Sequence, residues 1–223
     1  MPVQHFLNPQ AIPLNALPCT APAVLPKAVR KLGHIPDWEL LRPGDLILFA
    51  SVPGKVKRLK DALGIPAIQE RGGYASADAR WFHAAVFLGV GFDVVEANMI
   101  HGVRVASLLE RLPDHLIRVR RSREWTEASG WRMALHAALM RGRPYSASTI
   151  ARLAQRAMSG YWKHATDSAH AREALVCSQL YADAFQAAFD LTLMNQQAGE
   201  VTPAFLSASE RLVDIEIGWR RIA

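Results

Sequence analysis

A chain of 223 residues with 50% hydrophobic content is long and apolar enough to bury a full core as one domain. Its two cysteines, Cys19 and Cys177, cannot build a disulfide framework, and no apolar run approaches the roughly 18 residues that span a bilayer. The net charge of +6 admits anionic partners, but the basic residues lack both interleaved aromatics and a nucleic-acid motif, so no specific nucleic-acid partner is expected.

Residues 1–40 are rich in proline and weakly periodic, and read as an irregular leader ahead of a single domain over 41–223. Met1 to Pro26 lacks a basic segment followed by an apolar one, so no standard signal peptide is expected. A cytoplasmic location is the default and export without a cleaved signal the alternative. The turn Leu41-Arg42-Pro43-Gly44-Asp45 then leads into the short apolar run Leu46-Ile47-Leu48-Phe49-Ala50, a buried strand. Residues 53–80 are richer in Gly, Lys and Arg and read as an insertion or lid loop, with a helical turn near Lys57–Leu63.

Two further strands follow, over 81–88 and 93–98, joined by a tight Gly-containing turn at Gly89 to Gly91. A two-residue turn at Val90-Gly91 sets Ala85 opposite Glu96 and His83 opposite Asn98. Because paired side chains share a face, His83 and Glu96 become diagonal neighbours. A carboxylate beside an imidazole fixes its tautomer and favours its charged form, so the pair suits a general base and its orienter. Should the parity fail, Asn98 or His101 would be the next candidates for the orienting role.

Leu116-Ile117-Arg118-Val119-Arg120 alternates apolar and basic residues and reads as a half-exposed edge strand. Arg118, Arg120, Arg121 and Arg123 are read as a solvated basic face, with a polyanion site as the alternative. Glu127 to Arg141 predicts an amphipathic helix whose stripe is Trp131, Ala134, Leu135, Ala138 and Leu139, stopped by Gly142 and Pro144. Residues 147–172 predict a second helical stretch and a polar connector holding His164 and His170. Val201-Thr202-Pro203 opens a short Thr-capped helix, and Leu212 to Ile217 supplies a last strand.

The stretch from Leu175 to Ala188 organises the rest. Apolar residues at 177, 180, 181, 184, 185 and 188 repeat as a buried helical stripe, which puts Cys177 in the opening turn. There a thiol meets unpaired backbone N–H groups and the positive end of the helix dipole, both of which favour the thiolate. Taken alone, Cys177 reads first as a small core residue. With His83 and Glu96 it completes a nucleophile, a base and an orienter, the parts of a cysteine hydrolase.

The ordered motifs Pro43-Gly44-Asp45-Leu46-Ile47-Leu48-Phe49, His83-Ala84-Ala85-Val86-Phe87-Leu88-Gly89, Val95-Glu96-Ala97, Gly142-Arg143-Pro144-Tyr145, Val176-Cys177-Ser178-Gln179-Leu180 and Val201-Thr202-Pro203 resemble NlpC-type papain-like cysteine hydrolases. The cysteine helix follows the strands here, as in the circularly permuted, YiiX-like branch. The resemblance implies an α+β fold, an antiparallel sheet packed against helices that include the cysteine helix. By position it makes Cys177 the nucleophile, His83 the base and Glu96 the orienter, with Tyr145, Phe82 and Trp81 lining the substrate site and no metal or other cofactor. It departs from the family pattern at Phe82 and at Ala84-Ala85, where the family has a small polar residue before the histidine and Val-Gly after it.

The implied reaction is cleavage of an amide, in a peptide of cell-wall type, through an acyl-enzyme. Two alternatives stand beside it: a lipid acyl hydrolase or acyltransferase on the same residues, or a non-catalytic basic binding module. The expected partner is thus a small peptide or acyl-containing substrate, of cell-wall or lipid origin.

Overall fold

The computed structural model describes residues 4–53, 59–146, 151, 155, 176–193 and 201–223, with backbone alone for 59–63. Apart from residues 151 and 155, the helix expected over 147–172, with the connector holding His164 and His170, lies outside the described residues.

Two short strands precede the main sheet, β1 (Leu17–Cys19) and β2 (His34–Pro36), with helix α1 (Lys27–Leu32) between them. Then come β3 (Leu46–Ser51), α2 (Leu59–Arg71), α3 (Ser76–Ala79), β4 (His83–Phe87), β5 (Asp93–Asn98), β6 (Gly102–Ser107), β7 (His115–Ser122) and α4 (Glu127–Leu139). The remaining elements are α5 (Cys177–Phe189), α6 (Pro203–Ala208), β8 (Leu212–Ile215) and β9 (Trp219–Ile222). The fold is α+β. Six strands form an antiparallel sheet in the order β6-β5-β4-β3-β7-β8, and β1-β9-β2 form a small second sheet.

Both faces of the main sheet are covered, which is why β3 and β4 read as nearly unbroken apolar runs. Alternate residues Leu46, Leu48, Ala84, Val86 and Val95 face a core shared with α4 and α5. Their neighbours Ile47, Phe49, Ala85, Phe87 and Val94 face a second core that includes Leu7, Leu25, Val29 and Ile35. Residues 4–40 therefore pack onto the domain. They contribute strands, a helix and apolar cover, and Leu7 exchanges backbone hydrogen bonds with Ile117 of β7 at 2.7 and 3.1 Å. The described part of the 53–80 segment is largely helical, and Gln69 ties α2 to α6 by accepting the Ala204 N–H at 2.9 Å.

Two expectations are corrected by packing. β7 is an interior strand, because β8 pairs along its outer edge with Arg120 opposite Asp214. Arg118 and Arg120 are consequently buried rather than solvated: Arg118 makes a two-pronged bond to Asp214 at 2.7 and 3.0 Å, and Arg120 donates to the carbonyls of Leu206 and Ser207 at 2.7 Å each. Arg121 is bound by the buried Asp45 at 2.7 and 2.8 Å, and of the four only Arg123 is exposed.

The buried face of α4 is also rotated from the expected stripe. Gly130, Met133, Ala134 and Ala137 face inward, whereas Trp131, Leu135 and Leu139 are exposed. Close approach at Gly130 is the cause. A Cβ there would lie 2.4 Å from the Trp125 indole nitrogen and 2.5 Å from the Pro43 carbonyl oxygen, so this side of the helix must carry the smallest residue. No helix among the described residues is long and apolar enough to cross a membrane.

Candidate active site

Helix α5 has the inward stripe its spacing predicts: Cys177, Leu180, Tyr181, Ala184, Phe185 and Ala188 are all buried. Its N-cap residue, Val176, has no side-chain oxygen to accept the first-turn N–H groups. One of those donors, the Ser178 N–H, favours the charged form of the Cys177 sulfur instead. The Ser178 hydroxyl meanwhile donates to the Val201 carbonyl at 2.6 Å and fixes the start of the helix against the chain leading into α6.

The histidine arrives from the sheet. The β4–β5 register runs Ala85↔Glu96, Val86↔Val95, Phe87↔Val94, so Glu96 and His83 fall on one face as diagonal neighbours. Phe87 donates its N–H to Asp45 ahead of β3, and Leu88 donates to Asp93 at the start of β5. By this alternation the Ala84 N–H points to the β5 side. It lies one residue beyond the last paired position and helps to lower the Cys177 pKa. The end of one ladder thus leaves a donor that favours the thiolate.

The His83 side chain is close enough to Cys177 for the two to shift each other's titration, and its Nε2 lies 2.8 Å from Oε2 of Glu96. With Nε2 on the carboxylate, Nδ1 is left for the sulfur. The ring also stacks at a tilt on Phe49, centroids 5.7 Å apart. Glu96 is fully buried and holds two guanidinium groups besides. Arg104 donates to Oε1 from Nε at 3.0 Å and from Nη2 at 2.8 Å, and Arg111 makes a short contact with Oε2.

Burial pushes the Cys177 thiol up, but the His83 charge and hydrogen bond, with the N–H groups of Ala84 and Ser178, outweigh it, and its pKa falls below the ordinary value. For His83, burial and the Arg111 cation push down, while the Cys177 thiolate and then Glu96 push up further, and the net direction is up. Burial also opposes ionisation of Glu96. The His83 bond and charge, with Arg111, still hold its carboxyl well below the usual range. Opposite shifts in a touching thiol and imidazole favour the thiolate–imidazolium pair.

The other expected site residues divide. Tyr145 is half-buried and close enough to Cys177 that, after burial, the thiolate charge raises its phenol pKa. Phe82 is half-buried against His115, with ring centroids 5.6 Å apart. Trp81 is a core residue: it is fully buried, its edge meets Phe6 at 6.0 Å, and it offers no surface to a substrate. Asn98 accepts the N–H groups of Ile100 and His101 in the β5–β6 turn, and His101 is exposed.

Sequence reasoning missed Arg104, Arg111 and the Ala84 N–H. Arg104 stands directly opposite Glu96 in the β5–β6 ladder, so extending the hairpin parity by one strand finds it. Arg111 follows a 3-10 turn, where no periodicity points to it. Among the described residues no group of three or more His, Cys, Asp or Glu side chains could hold a metal ion.

No protein-family model matches the chain, and no curated protein matches it. Among solved structures it is similar to the metalloprotein yiiX from Escherichia coli O157:H7, at 13% identity and TM-score 0.47, over 78% of this chain and 96% of that one.

Proposed function

We propose that this protein is a cysteine hydrolase that cleaves an amide bond, in a peptide of cell-wall type, on a circularly permuted papain-like domain. One observation carries the reading: the buried Glu96 lies 2.8 Å behind the His83 imidazole, and His83 and Cys177 are close enough that each shifts the other, the thiol down and the imidazole up. A purely structural buried cysteine needs no imidazole–carboxylate pair beside it. The order of elements supports the permuted form, because the histidine and carboxylate strands precede the cysteine helix.

In this mechanism the Cys177 thiolate attacks the carbonyl carbon and the C–S bond forms. Backbone N–H at the start of α5, Cys177's own included, stabilises the oxyanion. His83 delivers its proton to the departing nitrogen as the C–N bond breaks. A water molecule then gives a proton to His83 and attacks the thioester, releasing the acid and restoring the thiolate. Glu96 keeps the ring oriented throughout. Tyr145 and Phe82 line the approach.

The test is intact-mass detection of an acyl adduct on slow substrates, screened across muropeptides, lipid esters and thioesters. The expected result is an adduct on an amide substrate that disappears in Cys177→Ala. Adducts on lipid esters alone would replace the amide reading with the lipid one. No adduct in any class, with salt-sensitive binding to an anionic polymer, would replace both with the binding-module reading.

A further inference from the structure

Glu96 is shared unequally. Oε1 is taken by Arg104, which also reaches Glu110 at 3.4 Å, while its hydrogen bonds go to carboxylates and not to the imidazole. Oε2 is taken by both His83 and Arg111, and the same Arg111 nitrogen, Nη2, lies 3.2 Å from His83 Nε2. Nε2, Oε2 and Nη2 thus form one triangle. Nε2 cannot donate to Glu96 and accept from Arg111 at once. When His83 is an imidazolium its proton goes to Glu96, and two cations then face each other beside one carboxylate oxygen.

Arg111 is held in this position. Its guanidinium lies over the Phe49 ring, 5.0 Å from the centroid, and its carbonyl accepts from His115 Nδ1 at 2.8 Å. Phe49 is therefore packed by both His83 and Arg111. The charged and titratable groups around His83 are Cys177, Glu96 and Arg111 in contact with it, and His115, Arg104, Glu110 and Tyr145 further out.

We propose that Arg111 is a positioning residue that limits the basicity of His83 by competing for Glu96 Oε2 and placing a like charge against the ring. A carboxylate alone would make the imidazolium a reluctant acid. With Arg111 beside it, the imidazolium depends on the thiolate and gives up its proton once the sulfur is acylated, when the departing nitrogen needs it. The direction of Arg111's effect on His83 agrees, since its charge opposes protonation. This inference rests on the proposed hydrolase reading.

The experiment follows the His83 ring resonances by NMR as a function of pH in the full chain. Arg111→Gln is expected to raise the His83 pKa by about one unit, the scale of a charge removed within a few ångströms. Arg111→Lys, which keeps a cation but not the two-way contact, shifts it less, and Arg104→Gln less than Arg111→Gln. An unchanged or lowered His83 pKa in Arg111→Gln, or in Arg111→Lys if the first does not fold, overturns the proposal. So does an equal shift in Arg104→Gln. Repeating the titration in a Cys177→Ala background removes the thiolate. The Arg111 shift must survive there whether or not the protein hydrolyses anything, and that separates failure of this inference from failure of the hydrolase reading.

Discussion

His83 Nε2 and Glu96 Oε2 lie 2.8 Å apart although they come from different strands, and the carboxylate is the more buried partner. Glu96 also neutralises Arg104 and Arg111, so removing its charge affects folding as well as the imidazole. Glu96→Gln is expected to cost on the order of 3 kcal/mol in denaturant unfolding near neutral pH, because two partly buried cations lose their counter-charge. The folded pKa of Glu96 is depressed, so its contribution is present above the ordinary value of 4.5 and is lost as pH falls below it. The stability gap between parent and Glu96→Gln therefore narrows on acidification, and unfolding curves from pH 7 to pH 3 check the sign.

The two thiols differ in direction. Burial leads the causes that raise Cys19, and its neighbour Arg220 opposes only part of that, whereas Cys177 is lowered. At pH 7 a small alkylating agent is expected to modify Cys177 before Cys19, as mapped by peptide mass spectrometry. His83→Ala should abolish the preference. Labelling of Cys19 first in the parent would contradict an activated Cys177.

Gly130 sits where α4 crosses the Pro43–Gly44 turn. Gly130→Ala would drive a methyl group into the Trp125 indole and the Pro43 carbonyl, whose own hydrogen bond is 3.0 Å long. Overpacking at such a contact costs about 1–3 kcal/mol, and a lowered thermal midpoint with an intact His83 titration is the expected outcome.

Asp214 binds Arg118 through both carboxylate oxygens and faces Arg120 at 3.2 Å. Asp214→Asn leaves two buried guanidinium groups under-neutralised and is expected to destabilise by about 3–5 kcal/mol. Buried pairs are weakly screened, so 0.5 M salt should not rescue the variant. Rescue by salt would place these arginines near solvent.

The core strands, the cysteine helix and the hairpin register were legible in the sequence because each depends on local periodicity. Ala85↔Glu96 follows from turn length and parity alone. The readings that missed depend on partners distant in sequence. Nothing near Arg118 announces that Asp214, 96 residues later, neutralises it, so an alternating basic strand reads as an edge. On α4 the apolar pattern allows two faces, and Pro43, far upstream, selects the one bearing Gly130. Trp81 beside Phe82 reads as a substrate wall only while the segment that packs on it, Gln4 and Phe6, goes unrecognised as structure.

The strand β9 lies between β1 and β2, pairing Leu17 with Arg220 and Ile35 with Arg220 from opposite sides, and Ala223 donates its N–H to Cys19 at 3.1 Å. During synthesis, then, β1 and β2 leave the ribosome long before the strand that pairs with both of them. At the ordinary elongation rate of roughly 5–20 residues per second, the backbone edges of β1 and β2 stay unpaired for about 10–40 s. Leu25, Val29 and Ile35 belong to the same early segment, and their core is closed by Ile217 and Trp219. Nascent chains stalled before residue 219 should therefore bind chaperones through residues 4–40, and a lesion in the codons for Trp219–Ile222 should be felt at β1 and β2.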